Sequence, residues 1–151
     1  MNLNRADVSL PLLAKRVAER FSTQSNKHKI VAEFPEKFPI VLADETRVEQ
    51  VVSNLVSNAL KYAPKGEIKI IGTLRPEQVI VCVSDEGPGI EAKDLPHVFD
   101  RFYRSTAAVK QTKGAGLGLY LARAIVEAHG GHIWVDPKPD SGARICFSLP
   151  R

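Results

Sequence analysis

The chain has 151 residues, of which 44% are hydrophobic, and this suits one domain with a buried core. Its net charge of +4 suits a polyanionic ligand, but basic residues are spread along the chain, so we expect no nucleic-acid partner. No apolar run is long enough to span a bilayer, and no signal peptide is visible, so this chain is not expected to insert into a membrane. Cys82 and Cys146 lie in strand-like runs, which favours reduced core thiols in a cytoplasmic protein over a disulfide or a metal site.

Strand and helix patterns alternate along the chain and predict a sheet covered by helices on one face. Leu12 and Leu121 are both expected to point into the core of this domain. In chain order, the predicted elements are an edge strand within Arg5–Leu10, a helix over Pro11–Phe21, strands over His28–Phe34 and Ile40–Ala43, a central helix ending at Pro64, a hairpin of Glu67–Leu74 and Gln78–Ser84, a mostly helical stretch over 91–104, a mobile loop over Ser105–Lys113, a helix over Gly118–His129, and a closing hairpin of His132–Val135 and Arg144–Leu149.

The central helix has two contrasting faces. Asp44 is a suitable N-cap for it. Its polar stripe carries three amides and an ammonium that can hold a hydrated metal ion and phosphate oxygens, although a plain solvated face is the alternative. The stripe consists of Gln50, Asn54, Asn58 and Lys61, and the apolar face consists of Val48, Val51, Val52, Leu55, Val56, Ala59 and Leu60.

A second candidate site follows the apolar run 79–83, where the sequence reads Asp-x-Gly-x-Gly. Asp85 would stand at the end of a buried strand, where its carboxylate accepts hydrogen bonds but cannot donate them. The exocyclic amino group of adenine donates, whereas the keto group of guanine does not, so such a carboxylate selects adenine. Gly87 and Gly89 allow positive φ and a close approach to a flat base. A turn with a solvated aspartate is the alternative.

A third candidate site is the turn that contains Gly114, Gly116 and Gly118 and enters a helix. Backbone N–H groups at such a helix start point towards an anion, and the glycines leave room for a triphosphate. The segment matches neither a P-loop nor the dinucleotide-binding pattern Gly-x-Gly-x-x-Gly.

Taken in this order, the asparagine helix, Asp-x-Gly-x-Gly and Gly-x-Gly-x-Gly resemble the ATP-binding domain of sensor histidine kinases, a branch of the GHKL superfamily. The intervening Phe99–Arg104 is similar to the F box of that family. The resemblance covers almost the whole chain and implies one domain over residues 1–151. It implies an α/β two-layer sandwich of the Bergerat type, with a mixed sheet, helices on one face, and a mobile ATP lid at about residues 100–115.

The resemblance also implies residue roles. Asn58 would coordinate Mg²⁺, Asn54 and Lys61 would contact phosphate oxygens, and Tyr62 would line the base pocket. Arg104 is the candidate for the γ-phosphate, so that Asn58, Lys61 and Arg104 are the expected catalytic set. The expected positions for binding ATP are Asn54, Asn58, Lys61, Tyr62, Asp85, Gly87, Gly89, Ile90, Phe102, Gly114, Gly116, Leu117 and Gly118.

The same resemblance distinguishes a kinase from a hydrolase. Gyrase-type and Hsp90-type ATPases carry a glutamate as general base four residues before the metal-binding asparagine, where this chain has Asn54. Glu49 lies on the other side of the helix from Asn58 and is no substitute. None of the four histidines stands in the His-Glu-x-x-x-x-Pro context of a phospho-acceptor. The expected activity is therefore ATP-dependent protein-histidine kinase activity, with the acceptor on a separate dimerisation domain and a response regulator downstream.

Two other functions stay open at this stage. One is a catalytically degenerate nucleotide-binding interaction module, and the other is a clamp ATPase of the GHKL type. Three departures from the family pattern also occur. Ala115 follows Gly114 where many members have more glycine, Tyr120 replaces a small residue, and Ser141–Arg144 matches the third glycine box only loosely.

Overall fold

Residues 1–103, 118–136 and 142–151, as described by a computed structural model, form three helices and a five-stranded sheet that they cover on one face. The strand order is β2-β4-β5-β7-β6. The β2–β4 pair is parallel and the other pairs are antiparallel, so the expected mixed sheet is confirmed. The elements are β1 Ala6–Val8, α1 Leu10–Ser22, β2 His28–Glu33, β3 Val41–Ala43, α2 Glu45–Tyr62, β4 Gly66–Leu74, β5 Gln78–Ser84, a 3₁₀ turn Leu95–His97, α3 Gly118–Ala128, β6 Ile133–Val135 and β7 Arg144–Pro150.

The first strand lies apart from this sheet. β1 and β3 pair antiparallel as a separate two-stranded sheet, in which Val8 lies opposite Val41. Both valine side chains are buried in the core. The predicted strand within Arg5–Leu10 is therefore correct in place, but it is not an edge of the main sheet.

The central helix, α2, has the predicted amphipathic arrangement. The Arg47 backbone N–H donates to Asp44 Oδ1 at 3.1 Å, which confirms Asp44 as the N-cap. The helix ends at Tyr62 because Pro64 has no N–H and disfavours helical backbone at Ala63, which is extended at φ −100° and ψ 113°. The side chains buried against the sheet are Val48, Val51, Val52, Leu55, Val56 and Ala59.

A buried histidine joins the start of α2 to the end of α3. His129 is 3% exposed, and its Nε2 accepts the Asp44 backbone N–H at 3.0 Å. Its Nδ1 therefore carries the proton and donates to the Ile125 carbonyl oxygen at 2.8 Å. The N–H groups of Asn4 and Arg47 donate to the Asp44 carboxylate and hold its pKa below the usual aspartate range.

Two predicted core positions are wrong. Leu12 is 64% exposed and Leu121 is 38% exposed. The buried face of α1 instead begins at Leu10 and continues through Leu13 and Val17. Because successive helical residues are about 100° apart, Leu12 and Leu121 lie one position away from the faces that their helices bury.

The stretch predicted as mostly helical over 91–104 is also different in its described part. Apart from the 3₁₀ turn, it consists of tight turns in which backbone N–H groups bond three residues back, for example His97 to Asp94 and Asp100 to His97, each at 2.9 Å. Pro96 has no N–H to donate to an α-helical ladder, and Phe102 has a positive φ of 63°. These features rule out a continuous helix there.

Cys82 and Cys146 form a disulfide, so the prediction of two reduced thiols is wrong. They are direct partners in the β5–β7 ladder and alternate with core residues such as Val81 and Phe147. Their separation of 64 residues gave no indication of this register. In the parts of the chain that the structure describes, no helix is both long enough and apolar enough to cross a bilayer.

Candidate functional site

The end of α2 and the turn after β5 bring two of the predicted sets of residues together. Asn54, Asn58, Lys61 and Tyr62 follow one another along the last half of α2. A Cβ atom on Gly87 would lie 2.9 Å from both Cα and Cβ of Ala63, so this glycine contacts the helix end directly. The end of the asparagine helix and the Asp-x-Gly-x-Gly turn are therefore in direct contact.

Asp85 stands where β5 ends, and its carboxylate is held by the backbone. Oδ1 accepts the N–H groups of Gly87 at 2.8 Å and of Ala143 at 3.1 Å. The backbone N–H of Asp85 in turn donates to the Ala143 carbonyl oxygen at 3.0 Å. Within the described ranges Oδ2 accepts no hydrogen bond, so it can receive a donor from a ligand.

Gly142 is part of this arrangement, although it was not among the predicted site residues. Its φ is +70°, and a Cβ atom there would lie 2.0 Å from the Asp85 carbonyl oxygen. A Cβ on Gly89, whose φ is +84°, would lie 3.0 Å from the Gly142 carbonyl oxygen. The loosely matching third glycine box was the available signal, because it contains Gly142 and Ala143. The structure shows that Gly142 and Ala143 lie directly against Asp85.

The polar stripe of α2 also contacts the start of α3. Asn54 Nδ2 donates to the Gly118 carbonyl oxygen at 3.1 Å. Among the described residues, a Cβ on Gly118 would meet no atom within 4 Å. Asn58 is half-buried one turn further along the stripe, and Lys61 is exposed one turn after that. Asn58 offers an amide oxygen, and oxygen atoms are the ligands that Mg²⁺ takes.

The F-box-like segment reaches α3 through cation–π contacts. The Arg101 guanidinium lies 4.7 Å from the centre of the Phe102 ring and 5.9 Å from that of Tyr120. Phe102 is 58% exposed. The Tyr103 hydroxyl donates to Asp94 Oδ1 at 2.5 Å, and this hydrogen bond raises the pKa of Tyr103. These contacts place the Arg101 guanidinium near both Phe102 and Tyr120 of α3.

Other residues named from the sequence make separate contacts or lie outside the described part of the chain. Ile90 is half-buried and packs against the core. Glu49 accepts hydrogen bonds from Arg16 at 2.6 and 2.9 Å and from Arg20 at 3.1 Å, so it joins α2 to α1. Arg104, Gly114, Gly116, Leu117 and the loop over Ser105–Lys113 lie outside the described residues.

Comparison with protein families gives one match over most of the chain. Residues 43–151 match the family described as histidine kinase-, DNA gyrase B- and HSP90-like ATPases. The sensor histidine kinase WalK of Bacillus subtilis is 37% identical in an alignment of 152 positions that covers 97% of this chain and 25% of WalK. The adaptive-response sensory kinase SasA of Synechocystis is 37% identical in an alignment of 142 positions that covers 91% of this chain and 37% of SasA. This chain is thus similar to a part of each relative.

Solved structures share the fold. Full-length ShkA in complex with AMPPNP superposes with a TM-score of 0.87 at 29% identity, covering 99% of this chain and 32% of that one. The nucleotide-free catalytic domain of histidine kinase ThkA gives a TM-score of 0.85 at 30% identity, covering 98% and 96% of the two chains. The expected fold, a mixed sheet with helices on one face, is therefore confirmed.

Proposed function

Because the chain belongs to the family of histidine kinase-, DNA gyrase B- and HSP90-like ATPases, we propose that it binds ATP with Mg²⁺ and transfers the γ-phosphate to a histidine. The acceptor would lie on a separate dimerisation domain. In this transfer the bond from the γ-phosphorus to the β-phosphate oxygen breaks, a phosphorus–nitrogen bond to the imidazole forms, and ADP leaves. A cytoplasmic response regulator would then receive the phosphoryl group.

The geometry of Asp85 is the observation that carries this proposal. Two backbone N–H groups orient the carboxylate through Oδ1, which leaves Oδ2 to accept the exocyclic amino group of adenine. Guanine presents a keto oxygen at the equivalent position and would be repelled by the carboxylate. Gly87 and Gly89 keep side chains away from the turn that the base would contact.

The phosphate end of the nucleotide would lie along the polar stripe of α2 and the start of α3. Lys61 supplies a positive charge, and the first N–H groups of α3 offer donors that suit an anion. Asn58 would be the protein ligand of Mg²⁺, which neutralises charge on the phosphate oxygens when it is bound. As the family resemblance implies, we propose that Asn54 contacts phosphate oxygens and that Tyr62 lines the base pocket. Outside the described residues, Arg104 would contact the γ-phosphate, and ATP would also be bound by Gly114, Gly116 and Leu117.

Two contacts favour a kinase over a clamp ATPase. Asn54 donates to the Gly118 carbonyl oxygen, and a glutamate general base at this position has no proton to donate when ionised. Glu49 is bound by Arg16 and Arg20. Burial opposes ionisation of Glu49, but these hydrogen bonds outweigh it and hold its pKa below the usual range. Neither residue is arranged to activate water, so phosphoryl transfer to an external imidazole is the better reading.

Calorimetric titration of the chain with non-hydrolysable ATP and GTP analogues, with and without Mg²⁺, tests nucleotide binding. Asp85→Asn is the informative variant. Its amide oxygen can still accept both backbone N–H groups, while its NH₂ group faces the base. Adenine then meets a second donor and guanine meets a donor for its keto oxygen, so the preference should move from ATP towards GTP. Unchanged preference in Asp85→Asn would contradict the proposed role of this carboxylate.

Phosphoryl transfer requires its own experiment, because binding alone also fits a degenerate interaction module. The chain is incubated with γ-labelled ATP and the histidine-bearing dimerisation domain of a related sensor kinase. Label on the acceptor histidine is expected, and Asn58→Ala should remove both the label and the Mg²⁺ dependence of binding. Binding without labelled acceptor would favour the interaction module. Rapid ATP hydrolysis with ATP-induced dimerisation of the chain would favour the clamp.

A further inference from the structure

The residue that ends α2 has a buried carbonyl group outside the helical ladder. Ala63 is 1% exposed and its backbone is extended, while its N–H still bonds to the Ala59 carbonyl oxygen at 2.9 Å. A buried carbonyl group needs a hydrogen-bond donor, and the helical ladder, which ends at Tyr62, does not supply one. The donor must therefore come from elsewhere in the fold.

His28, the first residue of β2, provides this donor. Its Nε2 lies 2.7 Å from the Ala63 carbonyl oxygen, which can only accept, so Nε2 carries the proton. Nδ1 of the neutral ring then accepts the hydroxyl proton of Ser25 at 2.6 Å. Ser25 Oγ in turn accepts the Lys27 N–H at 3.2 Å, which leaves its own proton for the histidine. The ring is thus oriented from both sides.

A short series of contacts connects this hydrogen bond to Asp85. Ala63 lies against Gly87 so closely that a Cβ on that glycine would be 2.9 Å from its Cα. The Gly87 N–H donates to Asp85 Oδ1 at 2.8 Å. The position of the Ala63 backbone therefore limits where Gly87 lies, and Gly87 orients the carboxylate that would face the base.

We propose that His28 is a positioning residue that sets the selectivity of the site for adenine over guanine. It acts through the Ala63 carbonyl and the Ala63–Gly87 contact and does not touch the nucleotide. The inference rests on the proposed function, because it assigns a determinant of selectivity to the same pocket. Without the His28 donor, the end of α2 loses a fixed position and the Asp85 carboxylate loses its defined orientation.

The ratio of ATP-analogue affinity to GTP-analogue affinity is the quantity to measure. A variant that merely lowers the folded fraction weakens both ligands equally, so this ratio reports the geometry of the pocket and not stability. His28→Ala should lower the ratio by about fivefold, which corresponds to about 1 kcal/mol, the worth of one hydrogen bond. His28→Gln places an amide N–H at a similar reach and should restore most of the ratio.

Two further variants complete the set. Ser25→Ala leaves the donor in place but removes the group that orients it, so a smaller loss in the same direction is expected. His132→Ala removes an exposed histidine outside this series of contacts and should keep the wild-type ratio. Thermal unfolding of each variant without nucleotide, together with titration well below its midpoint, keeps every protein folded during the measurement.

The outcomes separate the two proposals. A reduced ratio in His28→Ala with recovery in His28→Gln supports the positioning role. A wild-type ratio in His28→Ala, while Asp85→Asn still shifts the preference, overturns the role of His28 and leaves the proposed function standing. If the wild-type chain binds neither analogue, the proposed function fails and this inference fails with it.

Discussion

Replacing Gly142 with alanine tests the closure of the third glycine segment on Asp85. Two separate penalties are expected. The φ of +70° costs a residue with a Cβ about 1–2 kcal/mol. The new Cβ would also lie 2.0 Å from the Asp85 carbonyl oxygen and 2.8 Å from Oδ1. Moving apart breaks the hydrogen bond from the Ala143 N–H to the carboxylate, which is worth about 1.5–3 kcal/mol because one partner is charged.

Two other glycines separate these penalties. Gly130 has φ +82°, but a Cβ there would meet only Pro150 Cγ at 3.6 Å, so Gly130→Ala should show the backbone penalty alone. Gly118 lacks a positive φ, and a Cβ there would meet no atom of the described chain within 4 Å, so Gly118→Ala should change the free energy of unfolding by less than about 0.5 kcal/mol. Urea unfolding of the three variants gives the comparison. If Gly142→Ala is no more destabilising than Gly130→Ala, the contact with Asp85 is not a constraint on this segment.

Three other predictions concern the disulfide and the two ionisable groups Asp44 and Tyr103. The Cys82–Cys146 disulfide closes a loop of 64 residues, so its reduction should lower the free energy of unfolding by up to about 4 kcal/mol. Equal urea unfolding curves with and without reductant would show that the disulfide does not stabilise the fold. Asp44→Asn keeps a capping oxygen but loses the charge. Because the pKa of Asp44 is lowered in the folded protein, the wild type should have the higher melting temperature at pH 7, and the gap should close as pH falls below the usual aspartate range; a constant gap would contradict this. The hydrogen bond to Asp94 raises the pKa of Tyr103, so spectrophotometric titration should show a tyrosine component above the usual range that is lost in Tyr103→Phe.

Local sequence patterns were sufficient for most of the secondary structure. The apolar spacing of α2, its cap at Asp44 and its end before Pro64 are all determined by neighbours in the chain, and each prediction was confirmed. The strands predicted over Gln78–Ser84 and Arg144–Leu149 were also derived from their own residues, and β5 and β7 confirm them. The prediction failed at Leu12, where a shift of one helical position decides whether the side chain is buried. It also failed at Pro96, where a proline interrupts a stretch with an amphipathic pattern.

Contacts between distant residues could not be derived in the same way. The disulfide depends on the register between β5 and β7, and a shift of one residue in that ladder would point the two cysteines to opposite faces. His28 and Ala63 are 35 residues apart, and nothing in either neighbourhood indicates that an imidazole will satisfy that carbonyl. Asp85 was predicted as an acceptor from its own motif, but its partner Ala143 lies 58 residues away.

The contact between Asp85 and Ala143 also explains why a departure from the family pattern leaves the carboxylate in place. The third glycine box matches only loosely at Ser141–Arg144, yet the donor to Asp85 Oδ1 is the backbone N–H of Ala143, which every residue except proline provides. The side chain at position 143 is therefore free to vary as far as this hydrogen bond is concerned. The preceding glycine is not, because its φ and its distance from Asp85 exclude a Cβ. Selection at this edge of the site should act on the small residues that permit backbone contact, Gly87 and Gly142, more strongly than on the side chain beside them.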